Sequence, residues 1–294
     1  MKILITGATG FIGSHLTKKL LKDNHEVHAL VRPSTNTGPL TALGVAISVF
    51  DQDNSVLQTY FEHEKFDGII HLASLYLSQH KPEEVKNLID SNILLATQIL
   101  DAAKNNVTWF INTGTFWQHY DQADYSPVNL YAATKRAFED ISNYYIAVSP
   151  INFVTIKLSD TFGPDDTRQK IFNLWSKISK SRETLDMSPG EQIIDINFIG
   201  NIVDGYSKMI ELLAADPEKK LKGRSFAIQS PERMSLRKLA EVFERVTQTK
   251  LNINWGKKEY RPREIMEPWN KGTPIPDWKP LISLEEGIKI TYNL

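Results

Sequence analysis

The 294-residue chain contains no cysteine. That excludes disulfides, thiolate metal sites and thiol catalysis. It also lacks an excess of either charge, since 34 basic residues meet 35 acidic ones for a formal net charge of -1. Without a basic field nothing draws nucleic acid or an anionic membrane surface, so a small molecule is the expected partner. No apolar run approaches the roughly 20 residues needed to span a bilayer. Strand-like residues begin at Lys2 and leave no room for a signal peptide, so the expectation is a soluble cytoplasmic protein. The seven histidines show no metal-ligand spacing with carboxylates, and no metal is expected. Internal repeats and low-complexity segments are absent.

The length suits one large α/β unit, or a nucleotide domain with a smaller partner lobe. Short apolar runs at 2–6, 27–31, 46–50, 68–72, 108–112 and 153–158 predict strands. Helical periodicity lies between them at 11–22, 55–63, 82–104 and 129–147. Asn24 is placed to stop the first helix in a left-handed conformation, and Pro82 with Glu83 and Glu84 resembles a first helical turn. Such alternation predicts an α/β fold, a Rossmann-type doubly wound parallel sheet over residues 1–164. After Gly163-Pro164 the rhythm changes to helices near 168–181, 200–214 and 235–247, an extended stretch at 193–198 and a strand at 225–229. The tail, 251–294, is rich in Pro and Trp. Residues 165–294 are therefore expected to form mainly a smaller C-terminal substrate-binding lobe, with 190–215 returning to the sheet.

Two motifs carry the chemistry. Gly7-Ala8-Thr9-Gly10-Phe11-Ile12-Gly13 follows the first strand and opens a helix. Gly7 permits the tight turn, Gly10 lets backbone approach a dinucleotide pyrophosphate, and Gly13 lets helix and sheet pack closely. The second motif, Tyr131-x-x-x-Lys135, sets a phenol and an amine one turn apart on a single helix face. There the ammonium is expected to hold down the phenol's pKa and make it a proton donor and acceptor. The second strand ends in Val31-Arg32, with a guanidinium where an NAD-selecting carboxylate would stand. That favours NADP (NADPH) over NAD, because a 2′-phosphate suits an arginine. Asp51, after the third strand, is a candidate for the adenine amino group.

With these motifs in this order, the sequence resembles the extended short-chain dehydrogenase/reductases, the NAD-dependent epimerase/dehydratase family. The resemblance spans essentially the whole chain. It includes His71-Leu72-Ala73-Ser74 after the fourth strand, Asn92 in the next helix, Pro189-Gly190-Glu191-Gln192, and Trp278-Lys279-Pro280 followed by Ser283 to Ile288. It implies that Leu72, Ala73, Ser74 and Asn92 join the glycine motif, Tyr131 and Lys135 in holding the cofactor, while His71 serves as a structural hydrogen-bonding residue. It also implies a homodimer joined through the helices near 82–104 and 129–147. Thr113 matches the family's catalytic hydroxyl, with Thr115 a close second; either would bond the reacting oxygen of the substrate.

Departures from the family's pattern sharpen the reaction type. The Asp-Glu pair of 4,6-dehydratases is replaced by Gly114 and Thr115, which argues against water elimination. The region 108–138 and the stretch 191–195 are most similar to CDP-abequose and CDP-paratose synthases. The expected function is NADPH-dependent reduction of a nucleotide-linked 4-keto deoxysugar. The alternatives are a C4 epimerase with tightly bound NAD and a non-catalytic dinucleotide sensor. Tyr76, Trp117, His119 and Asp160 are candidates to line the sugar pocket. Ile194 stands where many relatives carry a diphosphate-gripping Arg, which leaves Arg261, Arg168, Lys170 or Arg263 to meet the phosphates.

Overall fold

The computed structural model describes residues 1–51 and 53–294. Among these residues the central sheet has seven strands: β1 (Lys2–Thr6), β2 (Glu26–Val31), β3 (Ala46–Val49), β4 (Gly68–His71), β5 (Trp109–Thr115), β6 (Asn152–Leu158) and Ser225–Ile228. Their order is Ser225–Ile228, β6, β5, β4, β1, β2, β3, and every pairing is parallel. β4 and β6 are buried throughout, as strands covered by helices on both faces must be, although β6 also buries Asn152, Thr155 and Lys157. Alternate side chains feed two cores. Ile3 and Ile5 meet Leu16 and Leu20 of α1 (Phe11–Lys22), while Leu4 joins Leu57, Phe61, Phe110 and Phe138 on the opposite face. The strand order reverses between β1 and β4, which opens a crevice at the carboxyl ends of the strands. This is a Rossmann-type doubly wound α/β fold.

Asn24 takes a left-handed φ of 61° just after α1. β5 runs past its expected end at 112, because Thr113 to Thr115 stay in register with Ile156 to Leu158 of β6. The segment expected as a helix over 82–104 begins with a 3₁₀ turn at Pro82–Glu84 and widens into a π-type turn at Asp90–Leu94. The closing helix Leu284–Tyr292 lies within the tail rich in Pro and Trp. Its signal was Ser283, whose side chain accepts from the Glu286 N–H, with Glu285 and Glu286 favouring the first turn.

The C-terminal half is interleaved with the sheet. The strand it contributes is Ser225–Ile228, beyond the 190–215 stretch expected to return there. Within that stretch, Ile196–Phe198 pairs with Asp160–Phe162, and the helix Ile199–Ala214 packs on α1. Among the described residues no helix is long and apolar enough to cross a membrane.

Candidate active site

β1 ends at Thr6 and α1 starts at Phe11, so Gly7 to Gly10 form the turn between them. Gly7 has φ 71°, and a Cβ there would lie 2.7 Å from the Ala73 backbone nitrogen. A Cβ on Gly13 would lie 2.1 Å from the Gly7 carbonyl oxygen, so only glycine lets α1 sit this close. α1 starts without a side-chain cap or an acidic first-turn residue, leaving its N–H groups and positive dipole end for an anion. The cradle fits a dinucleotide pyrophosphate.

From this turn a cleft runs over the strand ends. Of the residues expected at the cofactor, Gly7, Gly10, Phe11, Ile12, Gly13, Leu72 and Ser74 line it. So do Thr113, Tyr131 and Lys135, together with Tyr76, Thr115, Trp117, Asp160, Arg168 and Lys170. The glycine turn and the Tyr-Lys pair therefore face one space. Gly114, Leu158, Ser159 and Thr161 also line it. Leu158, Ser159 and Thr161 carry no sequence motif that marks them for the cleft.

Tyr131 and Lys135 lie in the helix Leu130–Val148, which the Asn129 side chain caps by accepting from the Ala132 N–H at 2.9 Å. Burial pushes the Tyr131 phenol up to about 12, partly opposed by a hydrogen bond to Ser74. Burial also lowers Lys135 to about 8, with the Glu139 carboxylate pulling the other way. The expected depression of the phenol by Lys135 is thus corrected for the protein alone: desolvation dominates. Thr113 is part-buried and its Oγ1 lies 2.6 Å from the hydroxyl of Tyr206, a residue that no sequence motif singles out. Thr115 spends its oxygen accepting from the Trp117 N–H, capping the 3₁₀ turn Phe116–Gln118.

Aromatic rings narrow the sugar end of the cleft. Tyr76 packs edge-on against Tyr131, with centroids 5.1 Å apart, and lies 5.6 Å from Trp117. Lys170 reaches Asp160 at 2.8 Å. Burial favours protonation of Asp160, yet Lys170 and Arg168 overcome it and hold the carboxyl below its usual range. Arg168 grips Asp166 through Nε and Nη2, each at 2.8 Å, and stacks over the Phe11 ring.

Several candidates do not reach the cleft. Thr9, Arg32 and Asp51 are exposed outside its lining, and Ala73 donates its N–H to Thr6 Oγ1 at 3.1 Å. Asn92 is buried with its hydrogen-bonding capacity spent inside the protein. Its Oδ1 accepts from the Ser74 hydroxyl and Leu75 N–H, and its Nδ2 donates to the Leu75 carbonyl and Thr134. It ties the loop after β4 to the Tyr-Lys helix rather than meeting a ligand. His119 is corrected likewise: Nδ1 donates to the Ala123 carbonyl, Nε2 accepts from Lys157, and the ring stacks on Trp269 at 3.9 Å. Burial and the Lys157 charge push it down to about 4, so it is neutral. Arg261 sits outside the lining, doubly bonded to Glu264. Arg263 donates to the Ser126 hydroxyl. His71 is buried and bonded to Thr6 Oγ1 at 2.9 Å.

The sequence matches the NAD dependent epimerase/dehydratase family over residues 3–224. The chain belongs to that family. It is an NAD(P)-dependent enzyme of the epimerase/dehydratase class. It is 27% identical over 293 residues to the CDP-abequose synthase of Salmonella muenchen, covering 98% of this chain and 96% of that protein. The CDP-abequose synthase of Yersinia pseudotuberculosis is 26% identical over 279 residues, covering 91% and 92%. Among solved structures, UDP-glucuronic acid 4-epimerase from Bacillus cereus, in complex with UDP-glucuronic acid and NAD, superposes with a TM-score of 0.83 at 22% identity. That match covers 100% of this chain and 98% of the other. UDP-glucose 4-epimerase from Thermotoga maritima gives 0.85 at 20% identity, with the same coverage. At such identities the likeness is one of fold.

Proposed function

We propose that the protein reduces a nucleotide-linked 4-keto deoxysugar with NADPH, as a 4-ketoreductase of the CDP-abequose and CDP-paratose synthase type. The observation that carries this reading is the cleft itself, in which the glycine turn shares one space with Thr113, Tyr131 and Lys135 and no carboxylate follows Thr113. At Gly114 a Cβ would lie 2.8 Å from Glu139 Oε1 and 2.9 Å from Lys157 Cγ, so neighbouring side chains occupy the space where an elimination acid would stand. The near full-length similarity to two CDP-abequose synthases supports the substrate class.

The glycine turn and the α1 N-terminus would hold the cofactor's pyrophosphate, and Lys135 the nicotinamide ribose. Arg32, at the end of β2 where no acid stands, favours a 2′-phosphate. A bound nicotinamide supplies hydride. Tyr131 presents a protonated phenol to the carbonyl oxygen, and Thr113 steadies the charge that develops there. Tyr76 and Trp117 form an apolar wall for the sugar. The diphosphate must draw on Arg168 and Lys170, which line the cleft and are each already paired with a carboxylate. Exposed Val85, Ile89, Tyr144 and Val148 on the two helices near 82–104 and 129–147 support a homodimer built on them. We place the enzyme in the cytoplasm.

The test is NADPH consumption with CDP- and dTDP-linked 4-keto deoxysugars, with NADH run in parallel. Tyr131→Phe is expected to lower the rate by at least about a hundredfold, the scale of general acid catalysis. Equal rates for the two proteins refute the assignment of Tyr131. Bound NAD in the purified protein, with no reductant consumed, indicates an epimerase instead.

A further inference from the structure

Tyr206 lies on the helix Ile199–Ala214, is fully buried, and has one hydrogen-bond partner among the described residues, Thr113 Oγ1 at 2.6 Å. The contact follows from β5's alternation. Ile111 and Thr113 share a face, and Ile111 belongs to the core that Ile202, Tyr206 and Met209 also build. A core position so enclosed normally takes an aliphatic side chain; here it carries a hydroxyl aimed at the cleft's own threonine.

We infer that Tyr206 is a positioning residue: its phenol donates to Thr113 Oγ1 and thereby turns the threonine's hydrogen toward the substrate oxygen. A phenol is a stronger donor than an aliphatic alcohol and a poorer acceptor. A buried hydroxyl with a single partner is costly unless it donates. Burial also raises the phenol's pKa, keeping its proton in place. With one lone pair of Thr113 taken from behind, its O–H is left for the cleft, where it donates to the carbonyl that receives hydride. The reverse polarity would point the threonine hydrogen into the core and leave only an acceptor facing a carbonyl, which repels it. The inference rests on the reductase reading for the identity of that oxygen, but the polarity of the bond does not.

Two measurements test it. In a neutron structure of the deuterated full chain, the deuteron of Tyr206 is expected on the line to Thr113 Oγ1; a Thr113 deuteron on that line overturns the inference whatever the enzyme reduces. The second is a double-mutant cycle with NADPH and the same CDP- and dTDP-linked 4-keto deoxysugars. Tyr206→Phe keeps the ring and is expected to lower kcat about tenfold, the scale of one lost hydrogen bond, with KM changed less than about twofold. In a Thr113→Ala background the same substitution is expected to change kcat by less than about twofold. Equal losses in both backgrounds mean a general structural effect and overturn it, as does an unchanged kcat in Tyr206→Phe alone. If Thr113→Ala retains the full rate, the catalytic assignment of Thr113 falls as well, which separates that failure from failure of the tyrosine's role alone.

Discussion

Replacing Lys135 by methionine is expected to make the protein more stable while removing its activity. Lys135 is 2% exposed, and its pKa falls from the ordinary 10.5 to about 8 because burial disfavours the ammonium. A fall of that size corresponds to about 3 kcal/mol of native-state cost at neutral pH, where the side chain is charged in both states. Methionine matches the stem and removes the charge. Imperfect packing takes back part of the gain, so the net is about 2 kcal/mol, or roughly 3 °C in the unfolding midpoint of a chain this long. The pH dependence identifies the cause. Because the folded pKa lies below the unfolded one, the unfolded chain binds more protons between about 8 and 10.5, and the native protein gains stability as pH rises through that window. The variant's advantage is therefore full at pH 7 and shrinks toward pH 10. Thermal unfolding of both proteins across that range checks it. A methionine variant less stable at pH 7, or an advantage unchanged with pH, refutes the claim that Lys135 is held at a desolvation cost.

Two further outcomes follow from packing. Gly13→Ala, whose Cβ would meet the Gly7 carbonyl at 2.1 Å, must push α1 off the sheet. It is expected to cost about 3 kcal/mol in urea unfolding and to weaken NADPH binding at least about tenfold by fluorescence titration. Arg233→Met strips the buried Asp195 carboxylate of the guanidinium bonded through Nε at 2.8 Å. The expected cost is about 3–5 kcal/mol at pH 7 and less at pH 5, since burial already raises the Asp195 pKa and an unpaired carboxyl can protonate; urea titrations at both pH values check the difference.

The sheet was legible because parallel strands covered on both faces are short and mostly apolar, and the helices between them carry a 3.6-residue stripe. The Gly7 turn and the Tyr131-Lys135 pair were legible for a related reason, each being a local pattern with one steric meaning. What sequence concealed was contact between distant elements. Asn92 and His119 look like ligand donors until their partners at 75, 134, 123 and 157 are known. Tyr206 looks like core until β5 is seen to bring Thr113 against it. Arg261 reads as a free cation because its carboxylate, Glu264, sits three residues on in a loop with no periodic signal.

The charge balance of the site bears on its chemistry. A phenol near 12 and an amine near 8 leave Tyr131 protonated throughout the physiological range. Reduction of a carbonyl needs that form, because the developing alkoxide takes a proton from it. Donation leaves Tyr131 as a tyrosinate, an anion through which hydride transfer passes in either direction. Forming that anion here works against the desolvation that dominates the site, with a Ser74 hydrogen bond as a modest offset. Tyr76, packed edge-on against Tyr131, adds a second phenol whose own ionisation would oppose it. An enclosed, aromatic-walled phenol of this kind gives up a proton only to an acceptor that becomes strongly basic as it reacts, and a ketone oxygen receiving hydride is such an acceptor.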